Sequence, residues 1–156
     1  MLRPPLAIRP YRPVDLDTLY QIDQACYPPG IAYSKRTLRL FLRVPGAICL
    51  VAESGAEIVG FIIAEQEERT GHIITLDVLE PYRRHRMGTA LLEAAESQLA
   101  SRGVQTVELE TATDNAPAIA FWQKHGYRTR GILERYYLGR VDALSMEKSL
   151  HAAQET

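Results

Sequence analysis

Leu76-Asp77-Val78-Leu79-Glu80-Pro81-Tyr82-Arg83-Arg84-His85-Arg86-Met87-Gly88-Thr89-Ala90-Leu91-Leu92 reads as a strand, a short basic loop and the opening of an amphipathic helix. In such a unit, backbone N–H groups and a helix N-terminus converge on one spot. That is a ready anion site, and a diphosphate is the usual occupant. Arg83, Arg84 and Arg86 add positive charge to it. A ligand that carries phosphate is therefore expected here.

Upstream, Leu6 to Tyr11 reads as a strand and Pro13 to about Ala25 as a helix with Leu16, Leu19, Tyr20 and Ile22 on its apolar side. Tyr27-Pro28-Pro29-Gly30 breaks it, and Ser34 is placed to cap a second helix through about Val44. Ala47 to Ala52 and Glu57 to Glu65 form a hairpin about Ser54-Gly55-Ala56. The run Ile58 to Ala64 is apolar on both faces, as a central strand requires. A turn at Arg69-Thr70-Gly71 is expected to lead into the strand His72 to Leu79.

Downstream, the helix from about Arg86 to Arg102 buries Leu91, Leu92, Ala95 and Leu99, and Gly103 stops it. Val104 to Thr111 follows as a strand. Asp114-Asn115-Ala116-Pro117 opens a helix that Lys124-His125-Gly126 ends. Tyr127 to Leu138 and Val141 to Leu150 close the chain as a hairpin about Gly139. The order β-α-α-β-β-β-α-β-α-β-β predicts an α/β fold: a central mixed, twisted sheet of about seven strands with helices on both faces. Two successive βα units make the strands at Leu76 and Leu109 adjacent and parallel. A cleft between two such strand ends is a common ligand site.

The 156 residues suit one domain, expected over 1–150 with a frayed tail over 151–156. With 46% hydrophobic residues, 24% charged and a net charge of −1, nothing argues for nucleic acid or membrane as partner. No apolar run approaches the ~18 residues of a membrane span, and Met1 to Leu6 lacks a signal-peptide core. Cys26 and Cys49 read as two reduced thiols of a cytoplasmic protein. The four histidines show no metal spacing; His85 could touch phosphate and His72, His125 and His151 read as surface. Glu65, Glu67 and Glu68 read as a solvated strand exit.

Two motifs carry a family resemblance. Arg83-Arg84-His85-Arg86-Met87-Gly88 is similar to the pattern Arg/Gln-x-x-Gly-x-Gly/Ala that opens the central helix of the GNAT acetyltransferase superfamily. Asn115-Ala116-Pro117-Ala118-Ile119-Ala120-Phe121-Trp122-Gln123-Lys124-His125-Gly126-Tyr127 resembles that superfamily's Asn-x-x-Ala-x-x-aromatic-Tyr-x-x-x-Gly-Phe/Tyr. Tyr136-Tyr137 followed by Val141 to Met146 resembles the protein N-terminal branch, which includes the bacterial ribosomal-protein-alanine N-acetyltransferases.

The resemblance implies a GNAT fold with acetyl-CoA as cofactor, bound in the cleft between the two parallel strands. The backbone of Leu76, Asp77 and Val78 would pair with the pantetheine arm. N–H groups from Arg84 through His85, Arg86, Met87, Gly88 and Thr89 would hold the diphosphate. Asn115 would reach the pantetheine chain, beside Ala118, Phe121 and Trp122. Glu110 would be the base, although its bare position also admits a solvated strand-end glutamate. Tyr33, Tyr136 and Tyr137 would line the acceptor slot.

Two positions depart from the pattern. Arg86 stands where glycine is usual. A left-handed backbone there would cost arginine roughly 1–2 kcal/mol, so a helical Arg86 is expected. Trp122 stands where many members carry the tyrosine that protonates the leaving thiolate. An indole N–H only donates and does not titrate usefully. Tyr136, Tyr137 or water are the candidate replacements.

Three functions are consistent with these residues: acetylation of a peptide or protein N-terminus, acetylation of a small amine, and non-catalytic CoA binding. Direct attack by the amine is expected, since no Ser-His or Cys-His pairing signals an acyl-enzyme. A backbone N–H near Val78 would stabilise the oxyanion. At pH 7 an α-amine of pKa ~7.8 needs roughly 1 kcal/mol to deprotonate and a lysine of ~10.4 roughly 4.6, so a single base favours the α-amine. Oligomeric state leaves no mark on the sequence.

Overall fold

The computed structural model describes residues 6–83 and 86–150. Arg84, His85 and the expected tail over 151–156 lie outside the described residues. Seven strands form one mixed sheet: β1 (Leu6–Pro10), β2 (Ile48–Ser54), β3 (Glu57–Glu67), β4 (Thr70–Val78), β5 (Thr106–Ala112), β6 (Arg128–Tyr137) and β7 (Val141–Ser149). Their order is β1-β2-β3-β4-β5-β7-β6. The helices are α1 (Leu16–Cys26), α2 (Lys35–Arg43), α3 (Met87–Ser101) and α4 (Ala116–Lys124). The expected α/β architecture is present, with β4 and β5 parallel. No described helix is long and apolar enough to cross a membrane.

The described residues cluster into two compact units. The first comprises residues up to Glu65 with Ile73–Gln98; the second comprises Gln66–His72 and the chain from Leu99 onward. In the first unit, β2 and β3 pair antiparallel and α1 and α2 cover one face. Leu19, Ile22 and Leu38 of the helices cluster there with Val51, Phe61 and Ile63. Strand alternation sends Leu50, Ala52, Ile62 and Ala64 to the other face. They are buried as well, as are Leu91, Leu92 and Ala95 of α3. A strand buried on both faces must be apolar throughout, which explains the run Ile58 to Ala64.

The connection into β4 differs from expectation. The turn falls at Glu68–Arg69, with Glu68 in a left-handed conformation (φ 54°), and Thr70 and Gly71 already belong to the strand. Gly71 is needed for space: a Cβ there would meet Leu99 Cδ1 at 3.0 Å. In the second unit β5 pairs in parallel with β4 over Thr70 to His72 and antiparallel with β7 from Thr106 to Ala112. β7 pairs in turn with β6.

Gly60 sets how closely β3 and β4 approach. A Cβ on it would stand 2.7 Å from the Asp77 carbonyl oxygen, a backbone atom that cannot swing aside. Gly60→Ala should therefore lower the unfolding free energy by about 2 kcal/mol, the cost of overpacking a rigid contact. Urea denaturation measures it, and an unchanged midpoint would contradict the close approach.

Candidate active site

β5 alternates cleanly. Val107, Leu109 and Thr111 are buried, while Glu108 and Glu110 project from the opposite face. Glu110 is not a solvated strand-end glutamate. Its Oε1 lies 2.7 Å from His72 Nε2, with side chains only 20% and 33% exposed. When Glu110 is ionised, Nε2 must carry the hydrogen and donate it. His72 is thus part of the site and not the surface residue expected. Its signal is the parallel register, which sets His72 opposite Glu108 and brings the next outward carboxylate within reach. Glu108 itself is paired with Arg130.

Tyr136 completes the cluster from β6. Its phenol lies near Glu110: burial, then the Glu110 charge, then the Glu110 oxygens as hydrogen-bond acceptors push its pKa above the ordinary 10.0, so the phenol stays protonated. Tyr136 and Tyr137 do not split to opposite faces as neighbours in a regular strand would. The β6–β7 register shifts between Leu133 and Tyr137, and Arg135 adopts φ 52°. This irregularity is pinned by Arg135 N–H donating to Asp142 Oδ1 at 2.9 Å. It brings the two tyrosine rings edge to face, with centroids 4.9 Å apart. Both phenols thus lie at one corner of the second unit.

Asn115 caps α4: its Oδ1 accepts the Ala118 N–H at 3.2 Å, so only its NH₂ end can donate to a ligand. Phe121 and Trp122 follow on the helix. Trp122 is buried edge-on between Phe121 (5.1 Å) and Tyr127 (5.4 Å). The indole serves the packing of the second unit and, as expected, offers no acid.

The anion loop lies in the first unit. α3 begins at Met87, and its first intrahelical bond runs from Ala90 N–H to Arg86 O at 2.9 Å. Arg86 corrects the expectation of a helical residue: its φ is +63°, the left-handed region where the usual glycine is at ease. A left-handed residue followed by a helical one turns successive N–H groups toward one concavity, which suits a phosphate. The arginine thus keeps the glycine's backbone and accepts the strain. Arg83, also exposed, turns its Nε to the Val78 carbonyl at 2.8 Å.

Past His72 the β5-facing edge of β4 has side chains on its carbonyls. Tyr27 Oη donates to Leu76 O at 3.2 Å, and Cys26 Sγ lies 3.5 Å from Val78 O. Burial raises the Cys26 thiol to about 11, so it is a donor and no nucleophile. Tyr33 sits after the Pro-Gly break, half-buried, with its ring edge-on to Phe41 at 5.1 Å. The anion loop and the extended β4 edge fit the two ends of a CoA-like molecule, a diphosphate and an amide-bearing arm.

The model of the Acetyltransferase (GNAT) family matches residues 16–127. An N-alpha-acetyltransferase of Sulfurisphaera tokodaii is 31% identical over 92% of this chain and 92% of its own. The ribosomal-protein-S18-alanine N-acetyltransferase from Escherichia coli superposes with a TM-score of 0.85 at 26% identity, over 94% of each chain. Ard1 from Thermoplasma volcanium does so with a TM-score of 0.84 at 29% identity, over 92% of this chain and 97% of its own.

The strain at Arg86 is measurable. Arg86→Gly should stabilise the chain by about 1 kcal/mol, the left-handed penalty less glycine's own entropic cost. Thermal unfolding should shift upward by about 2–4 °C for a chain of this size. A fall in the midpoint would contradict a left-handed Arg86.

Proposed function

The chain belongs to the acetyltransferase (GNAT) family and is an acetyl-CoA-dependent N-acetyltransferase, and we propose that its acceptor is the α-amine of a peptide or protein N-terminus. The observation that carries this reading is Glu110, a carboxylate whose Oε1 lies 2.7 Å from His72 Nε2, with the Tyr136 phenol nearby. One fixed carboxylate suits an α-amine, which needs only about 1 kcal/mol to lose its proton at pH 7. The names of the relatives, an N-alpha-acetyltransferase and a ribosomal-protein-alanine acetyltransferase, support the same acceptor class.

Acetyl-CoA supplies the acetyl group as an activated thioester. The chain's own groups divide the remaining work. Backbone N–H groups from Arg84 through Thr89 hold the diphosphate, with Arg83, Arg84 and Arg86 adding charge. The backbone of Leu76, Asp77 and Val78 aligns the pantetheine arm, and a backbone N–H near Val78 polarises the acetyl carbonyl. Asn115, with Ala118, Phe121 and Trp122, flanks that arm. Glu110 removes a proton from the incoming ammonium, directly or through one water. Tyr136, held protonated, or Tyr137 beside it returns a proton to the departing sulfur, the task Trp122 cannot do. Tyr33, Tyr136 and Tyr137 bracket the acceptor's first residues.

A cytoplasmic location belongs to the same reading. Cys26 and Cys49 are unpaired thiols, and burial raises the pKa of both.

Thiol release from acetyl-CoA tests this against peptides with free N-termini, the same peptides N-blocked but carrying lysine, and small amines. Turnover on free N-termini alone is expected. Turnover on small amines alone would overturn the acceptor class. Glu110→Gln should lower kcat by ~10²–10³ with KM for acetyl-CoA little changed, the scale of a lost general base. Unaltered turnover across pH would remove Glu110 from the mechanism.

A further inference from the structure

Two carboxyl groups are buried in the first unit, and no salt bridge is made by either among the described residues. Asp23, in the last turn of α1, has no solvent exposure, and Asp77 of β4 has 1%. One oxygen of each is satisfied: Asp23 Oδ2 accepts the Tyr33 N–H at 2.6 Å, and Asp77 Oδ1 accepts the Thr75 hydroxyl at 2.5 Å. The other two, Asp23 Oδ1 and Asp77 Oδ2, have no donor among the described residues. Cys26 Sγ on Val78 O and Tyr27 Oη on Leu76 O seat the end of α1 that carries Asp23 against the stretch of β4 that carries Asp77.

Ionised carboxylates only accept, so two of them cannot satisfy one another. Two like charges at contact distance, cut off from water, are also prohibitively unfavourable. A single proton removes both difficulties, because one carboxyl then donates to the other. Asp77 is the better seat for the proton. Burial, followed by the hydrogen bond and the charge of Asp23, drives its pKa well above 3.8; Thr75 and Arg83 oppose this less strongly.

We propose that Asp77 and Asp23 share one proton and act as positioning residues for the acceptor, clasping the segment from Tyr27 to Tyr33 against β4. The contacts around the pair give the clasp its reach. Tyr27 Oη and Cys26 Sγ bind the carbonyls of Leu76 and Val78, on either side of Asp77. Asp23 holds the backbone of Tyr33 itself. The clasp therefore joins the β4 edge to a proposed acceptor-lining side chain. The proposal rests on the reading of Tyr33 as part of the acceptor slot.

The proton makes the clasp sensitive to alkali. A carboxyl whose folded pKa is raised contributes stability that is fully present below its ordinary pKa and is lost as pH rises through the folded value. The titratable and charged groups facing Asp77 are Asp23, Cys26 and Tyr27 from α1 and its end, and Arg83 after β4. Among the described residues only Arg83 is a cation there, and it is exposed with its Nε on Val78 O. When Asp77 ionises, the second charge therefore repels Asp23 and loosens Tyr33. KM for a peptide acceptor should rise with pH, while kcat follows the chemistry at Glu110.

The test uses the full chain and two substitutions. Asp77→Leu removes the donor and should raise peptide KM roughly tenfold, the effect of losing a hydrogen bond to a charged group. Asp77→Asn donates from its amide without titrating. It should recover most of that loss and abolish the alkaline rise in KM. Independently of turnover, the infrared spectrum of the native chain at neutral pH should show the carbonyl stretch of one protonated carboxylic acid, absent in Asp77→Asn. No such band, or an alkaline rise in KM that persists in Asp77→Asn, would overturn the shared proton. The band present in a chain that acetylates no peptide would uphold the carboxyl pair and overturn its link to acceptor binding, so the two readings fail separately.

Discussion

The hydrogen bonds along β4 decide what the rest of the molecule can do. A strand inside a protein must satisfy a backbone donor and acceptor at every residue. β4 meets this on one side through β3, where Gly60 lets the chains close and Leu79 N–H reaches Val59 O. On the other side its pairing with β5 runs only from Thr70 to His72. Beyond that point the carbonyls of Leu76 and Val78 bind Tyr27, Cys26 and Arg83. An edge kept in order by side chains is one a ligand can use as a strand.

Acidic residues serve opposite ends in the two units because their surroundings differ. Glu110 faces outward on β5 with its Oε1 2.7 Å from His72 Nε2, so it is held in place as an acceptor. Asp77 faces inward on β4 beside another carboxyl, so its charge is suppressed and it can donate a hydrogen bond. The same functional group is made a base or a clasp by what lies within about 3 Å of it. Asp15 shows the third outcome: hydrogen bonds from Arg9 at 2.9 and 3.0 Å hold its pKa below 3.8.

Much of this was legible in the chain. Period-two burial in β5 put Glu110 on the outer face, and the apolar run in β3 announced a central strand. Capping residues at Ser34 and Asn115 marked the helix starts. What stayed hidden depended on distance in space or on a single torsion. His72 lies 38 residues from Glu110, and only the parallel register joins them. Residue type does not reveal that Arg86 and Arg135 take positive φ, and those two torsions reshape the anion loop and the Tyr136–Tyr137 corner. Asp77 was read for its backbone, whereas its side chain is the more unusual feature, because pairing with Asp23 requires α1 to be folded onto the sheet.

The central claim is that the free edge of β4 receives the donor's pantetheine arm as an added strand. Amide hydrogen exchange, followed residue by residue with and without CoA, tests it most directly. Slowed exchange at Leu76 and Val78 on addition of CoA, together with protection in the first turn of α3, is the result this account predicts. CoA binding that protects α3 but leaves Leu76 and Val78 unchanged would contradict it.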